Sequence, residues 1–180
     1  LILKYQEFVE IFEIKMESKT TGIVKRFYYM DDEVHSIVRK KDFQTLFFKK
    51  KIREKKREKE EISIFFPEEK MYFYKYLRYL DTPFIDSLSI FYFIRINDNF
   101  QNPIKVYDRG KFYETFIKEE KDHLYKQEKE VLKVDKLTLL RKDKKSSYIS
   151  VYVSKNEDRI PLFIEFSFPL GILKAVLQCY

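Results

Sequence analysis

A single cysteine, Cys179, stands in the whole chain. No intrachain disulfide, Cys-x-x-Cys pair or cysteine-rich zinc site is therefore available. Glycine is almost as scarce, with Gly22, Gly110 and Gly171 widely separated. Loops that cradle phosphate need clustered glycines so that the backbone can approach the anion. Walker-type and Rossmann-type loops are excluded on that ground, and so is the Gly-x-Ser-x-Gly nucleophile elbow. The two histidines, His35 and His123, have no second imidazole or thiol near them in the sequence. A metal site would need several distant carboxylates, and neither a metal nor a cofactor is expected. No stretch approaches the run of about 18 apolar residues that a spanning helix requires.

What the chain does contain points to strands. Aromatic residues reach 18% as Tyr and Phe without Trp, within a hydrophobic content of 44% over 180 residues. That is enough to bury the core of one domain, residues 1–180, and the mixture of aromatic and β-branched residues favours sheet. Period-two alternation recurs in "GIVKRFYYM", "TLFFKKKIRE", "EISIFF", "KMYFYKYL", "GKFYETFIK", "KLTLLRK", "SSYISVYVS", "RIPLFIEFSF" and "GILKAVLQCY". "DDEVHS" reads as a turn after the first of these. About ten short strands separated by polar turns predict a mostly β fold, a bent antiparallel sheet or partly closed β-barrel. In the last strand Leu173, Ala175, Leu177 and Cys179 share the face expected to be buried.

One segment breaks the rhythm. In "DSLSIFYFIRI", Leu88, Phe91, Tyr92 and the stem of Arg95 fall at i, i+3, i+4 and i+7. Asp86 stands where an N-cap acceptor belongs, and Ser89 can share the cap. The alternative start is "DTP", with Thr82 capping and Pro83 in the first turn. Either way one central helix of about three turns is expected, packed on the concave side of the sheet. "DHLYKQEKEVLKV", residues 122–134, fits a second helix or a hairpin equally well.

The formal net charge is +7, and "KKKIREKKREKEE", residues 49–61, supplies more than half of it: eight basic and four acidic groups give +4. Glu54, Glu58, Glu60 and Glu61 interrupt the basic run. Those carboxylates would oppose counterion release from nucleic acid, so the stretch reads as a solvated charged hairpin tip and nucleic acid is not expected as a partner.

Two stretches together carry a family resemblance. Asp86, Leu88, Ser89, Tyr92 and Arg95 of "DSLSIFYFIR" match in register an Asp-Pro-Leu-Ser-x-x-Tyr-Tyr-x-Arg segment, with Ser87 in place of the proline. Some seventy residues on, "VYVSKNEDRIPLFIEFSFPLGILKAVLQCY" carries Ser154, Asp158, Arg159, Pro161, Pro169 and Gly171 at the matching positions of a closing hairpin. In both blocks the chain resembles the bacterial domain-of-unknown-function 3108 family. The resemblance is expected from about residue 20 to the end, because the family's glycine-rich opening turn is not evident here. It implies an exported protein of the periplasm or cell envelope, mostly antiparallel β, with no established activity.

Pro161, which cannot donate to a ladder, belongs at a strand start after the "KNED" turn, and Pro169 with Gly171 forms a corner. Asp86, Ser89 and Arg95 read first as helix cap and dipole partner. Their functional reading is a binding cleft, with Arg95 and Arg159 holding an anionic head group and Phe91, Tyr92, Phe166 and Phe168 lining its apolar wall, helped by Asp86 and Ser89. The leading expectation is a non-enzymatic envelope protein that binds a lipophilic or polymeric ligand or a partner protein. The alternatives are a carboxylate-dependent hydrolase of envelope polymers and a basic nucleic-acid-binding module.

Overall fold

Alternation of apolar and polar side chains lets a strand bury one face, and in this chain nearly every described segment uses that solution. The computed structural model describes residues 9–19, 31–54, 57–80, 83–97, 102–127, 130–143, 148–156, 159–168 and 171–176. Its contacts divide the chain into two compact units, one ending at Ser89 and the other starting at Ile90.

The first unit holds β1 (Ile11–Lys19), β2 (Asp31–Arg39), β3 (Thr45–Glu54), β4 (Arg57–Phe66), β5 (Met71–Tyr74), β6 (Tyr76–Tyr79) and the two-residue β7 (Ile85–Asp86). Strands β1 to β6 form an antiparallel meander in chain order. One face is buried: Ile14 pairs with Ser36, Ser36 with Phe48 and Phe48 with Ser63, and Phe65 with Tyr72 extends the row. The opposite face is exposed and changes character along the strands. Near the β3–β4 tip Lys19, Asp31, Arg53 and Glu58 form a row of alternating charge. Farther along lie Ile62, Ile64, Phe66, Phe73 and Leu77, all exposed.

Here one expectation is corrected. "DDEVHS" is not a turn but the start of β2. Asp31 and Glu33 are turn-type residues by composition, yet they sit opposite Arg53 and Lys51. Arg53 donates to Glu33 at 2.9 Å, so cross-strand pairing outweighs the low strand preference of Asp and Glu. The strand expected in "GIVKRFYYM" lies outside the described residues, as do Thr82, Asp158, Pro169 and Cys179.

The second unit holds α1 (Ile90–Ile96), β8 (Ile104–Asp108), β9 (Lys111–Gln127), β10 (Glu130–Arg141), β11 (Tyr148–Val153), β12 (Pro161–Phe168) and β13 (Gly171–Val176). Strands β8 to β13 are neighbours in chain order, each antiparallel to the next. Residues 122–134, open between helix and hairpin, are a hairpin in which Gln127 pairs with Glu130. Pro161 opens β12 opposite Val153, as its missing N–H requires. Arg159 takes the left-handed conformation in the preceding turn (φ 43°).

The helix is shorter than expected, seven residues and about two turns. Its buried positions are Ile90 and Ile94, one turn apart, whereas Tyr92 is 43% exposed. The physical reason lies upstream. The N–H groups of Leu88 and Ser89 are taken by the Asp86 carboxylate, so residues 87–89 form a turn and the helix begins after it.

Of the nine alternating segments, seven lie on strands as expected, whereas "KMYFYKYL", expected as one strand, folds back at Lys75 (φ 62°) into β5 and β6 with Tyr74 opposite Tyr76. The described chain is mostly β with one short helix and two sheets. Two bulges, between Val134 and Lys136 and between Tyr152 and Val153, interrupt the second unit's ladders. Bulges add bend and twist, and this sheet curls into a half-barrel.

Candidate functional site

Asp86 is wholly buried at the end of β7. Its Oδ2 accepts hydrogen bonds from Ser36 Oγ (2.6 Å), Thr45 Oγ1 (2.8 Å) and Ser89 Oγ (2.6 Å). Its Oδ1 accepts the N–H groups of Leu88 and Ser89, each at 2.9 Å. Asp86 N–H in turn donates to Thr45 Oγ1 at 3.0 Å. Ser36, Thr45 and Ser89 are themselves fully buried. No basic side chain is among these partners. A carboxylate out of water is tolerated here because both oxygens are satisfied by directed donors.

This is a structural knot. It ties β7 to β2 and β3, and it gives Ser89 no catalytic freedom, since the hydroxyl is committed to a carboxylate and no imidazole joins it. Asp86 and Ser89 thus come together, but in the turn that precedes α1 rather than as the cap of the helix. Sequence reasoning missed their partners, Ser36 and Thr45. The signal was present: Ser36 lies in phase with Val34 and Val38, on the face that is buried.

The remaining candidates are spread along the second unit. Phe91 and Arg95 are half-buried on α1, and Tyr92 is exposed. Arg159 donates to Glu119 at 3.1 Å. Phe166 is half-buried on β12, opposite Ile149 and Leu173, on the face turned away from Phe163. Phe168 closes β12 opposite Gly171, and its side chain is not among those described.

A different set converges on the other face. Tyr125 of β9, Val134 of β10, Tyr152 of β11 and Phe163 of β12 form one buried cluster, with Leu132 and Leu162 packed against it. Tyr125 stacks on Phe163 with centroids 4.6 Å apart, and meets Tyr152 at 4.8 Å. Lys174 of β13 holds its Nζ 4.3 Å from the Tyr125 centroid. In a flat sheet β9 and β13, four steps apart, would be separated by about 19 Å, more than the two side chains can bridge. The sheet is therefore curled with this face inside.

Charge lines the same face. Tyr152 donates to Glu165 Oε2 at 2.7 Å, and Lys174 lies 3.7 Å from Glu165 Oε1. Burial, followed by the hydrogen bond to Glu165, holds the Tyr152 phenol well above the usual tyrosine range. Lys136, beside Tyr152 in register, places its Nζ 5.6 Å from that ring. His123 pairs with Glu120 at 2.8 Å and lies against Tyr152, with centroids 5.7 Å apart. The Tyr125 hydroxyl is buried and has no hydrogen-bond partner among the described residues.

An open cleft of about 190 Å³ on the first unit's sheet brings together Lys15, Glu17, Glu33, His35 and Lys49. Its charges are largely spent, since Lys15 and His35 share Glu13 at 2.9 Å each and Lys49 holds Glu60 at 2.6 Å.

Comparison with known families gives a match to the one described as "Protein of unknown function (DUF3108)", over residues 2–178. The chain belongs to this family along essentially its whole length, starting well before the residue 20 expected from the two sequence blocks. Searches of curated proteins and of solved structures gave no match.

Proposed function

We propose that the protein is a non-enzymatic binding module of the cell envelope, holding a lipophilic or polymeric ligand on the inner face of the curled second-unit sheet. The observation that carries this reading is the convergence of Tyr125, Tyr152, Phe163 and Lys174, from four different strands, on one concave surface. Concave faces with an apolar floor and a few placed polar groups are the usual setting of ligand sites. Placement in the envelope rests on the family resemblance.

The two alternatives draw less support. A polymer hydrolase needs a carboxylate free to act, but Asp86 is locked among donors and Glu165 is engaged by Tyr152 and Lys174. A nucleic-acid module needs spare cations, yet Lys49, Lys51 and Arg53 of the basic run face Glu60 and Glu58 across the hairpin.

Native mass spectrometry of the protein purified gently from its own host tests the proposal. A retained mass is expected, and it should fall away in Phe163→Ala, which removes the ring under Tyr125. A clean apo mass for the parent protein, with measurable turnover of envelope polymers, would replace this reading by the hydrolase. Cell fractionation tests the location.

A further inference from the structure

Tyr125 is 6% exposed and its hydroxyl has no partner among the described residues. A buried hydroxyl without a partner forfeits the bond it made to water, so native folds seldom keep one without a use. Phenylalanine would keep the stack on Phe163 and avoid the loss. The oxygen is the only difference, so the oxygen needs an explanation.

The neighbours say what it faces. Lys174 and Lys136 reach in from β13 and β10 and stand over the Tyr125 and Tyr152 rings, which favours cations through the ring quadrupole. Of the acceptors at the cluster, Glu165 is engaged by the Tyr152 hydroxyl at 2.7 Å and more loosely by Lys174 at 3.7 Å, and Glu120, opposite Lys136 in register, is held by His123 at 2.8 Å. Lys136 makes no ion pair within 4 Å among the described residues. Two ammonium groups and one phenolic O–H thus stand near two carboxylates, Glu165 and Glu120, which Tyr152 and His123 already engage. What is missing is an acceptor for the Tyr125 O–H.

We infer that the concave face takes an anionic, acceptor-rich group, a carboxylate or a phosphate, with Tyr125 Oη donating to it and Lys136 and Lys174 neutralising it. This rests on the reading of that face as a ligand site and specifies the chemistry it recognises. The group belongs either to a free anion or to the head of an amphiphile whose tail follows the apolar wall. Both sources present the same oxygens to the same donors.

Calorimetric titration with oleate, oleyl alcohol, acetate and inorganic phosphate separates the cases, using the parent protein and the Tyr125→Phe, Lys136→Gln and Lys174→Gln variants. Oleate binding that weakens about tenfold in Tyr125→Phe and in either lysine variant is the expected result. Acetate or phosphate binding with the same losses identifies a free anion, and oleate binding without them identifies an amphiphile. Equal binding of oleate and oleyl alcohol, untouched by the lysine changes, overturns the anionic inference while leaving the binding face standing. Failure of all four probes overturns both.

A second readout does not depend on any ligand. The unliganded Tyr125→Phe variant should melt a few degrees higher than the parent, because it sheds an unsatisfied buried hydroxyl. A lower melting temperature with unchanged oleate affinity would mean that an internal water serves the hydroxyl, and would overturn the proposal.

Discussion

Two buried oxygens, one in each compact unit, are treated in opposite ways. The Asp86 carboxylate is surrounded by five donors at 2.6–2.9 Å, none of them a basic side chain. The Tyr125 hydroxyl is neutral, nearly as deeply buried, and has no partner at all among the described residues. Satisfying a carboxylate so fully takes three side chains from three separate segments, which is what a fold-holding element looks like. Leaving a hydroxyl unsatisfied while the Lys174 ammonium stands over its ring is what a place reserved for something else looks like. Completeness of hydrogen bonding separates the two roles better than burial or the presence of charge does.

The largest effect should come from breaking the complete member. Asp86→Ala removes the acceptor of three hydroxyls and two backbone N–H groups in a dry site, and only the Ser36–Ser89 pair, 2.9 Å apart, can make up part of the loss between themselves. A loss of about 3 kcal/mol in chemical denaturation is expected, well above an ordinary cap removal. Asp86→Asn keeps one oxygen for the two N–H groups, but sets an amide nitrogen against hydroxyls that now have to accept. About half the loss is expected. An Asn variant as stable as the parent would show that the hydroxyls simply reorient, and the contrast with Tyr125 would weaken.

Much of this architecture was legible in the sequence because its signals are periodic and local. The alternation in "SSYISVYVS" and "RIPLFIEFSF" became β11 and β12, and Pro161 fixed the start of the latter. The first turn of α1 was misjudged because helix spacing does not reveal that a carboxylate has already claimed the N–H groups of residues 88 and 89. The start of β2 was misread for a related reason. Asp31 and Glu33 look like turn residues until Arg53, 22 and 20 positions away, is placed opposite and beside them. The concave cluster was missed entirely. Phe166 and Phe168 are read with Phe91 and Tyr92 as the wall of a cleft, but Phe163 in the other phase of the same strand meets Tyr125, and only the curl of the sheet brings β9 to β12. Contacts created by curvature leave no mark in a linear pattern.

A smaller effect sharpens the second member. Burial raises the pKa of Tyr152, and its hydrogen bond to Glu165 raises it further. An acid whose folded pKa lies above its unfolded value contributes stability that is intact below about pH 10 and declines as pH rises beyond it. Tyr152→Phe should therefore cost about 1 kcal/mol at neutral pH. It should also lose less stability than the parent between pH 10 and 11, as read by melting temperature in that range. If the two proteins follow parallel alkaline curves, the phenol is not held as described, and the polar rim of the cluster is looser than the Asp86 knot for that reason alone.

Between the extremes lies Asp42, a carboxylate held by a cation. Burial alone would raise its pKa, but Arg39 donates at 2.9 and 2.6 Å and Gln44 N–H adds a third bond, and the net shift is downward. A lowered folded pKa gives stability that is present above the unfolded value near pH 4 and is lost as pH falls through the folded one. Because the pair is partly exposed, solvent screening keeps the effect to about 1 kcal/mol or less. The melting-temperature gap between parent and Asp42→Asn should be widest near pH 6 and close as pH falls through the lowered folded pKa. A gap that persists in acid would assign the loss to the turn rather than to the charge.

The smallest effect is expected where charge is most abundant. Lys49 faces Glu60 at 2.6 Å and Lys51 faces Glu58 at 2.9 Å along the β3–β4 hairpin, on a surface open to water. Hydrogen bonding and charge from Lys49 hold Glu60 below its usual range, and Glu58 is lowered in the same way, first by its bond to Lys51. These pairs nevertheless sit in high dielectric, where attraction is screened and long side chains lose entropy to meet. Lys49→Gln and Lys51→Gln together should leave the melting temperature within about two degrees of the parent, with the difference fading further in high salt. The same variant decides what the basic run is for. If it is a solvated ladder, neither protein should bind duplex DNA tightly at physiological salt. Tight, salt-sensitive binding by the parent that disappears in the double variant would mean that the glutamates are displaced by phosphates. The hairpin would then be the working surface, and the concave face of the second unit would need another explanation.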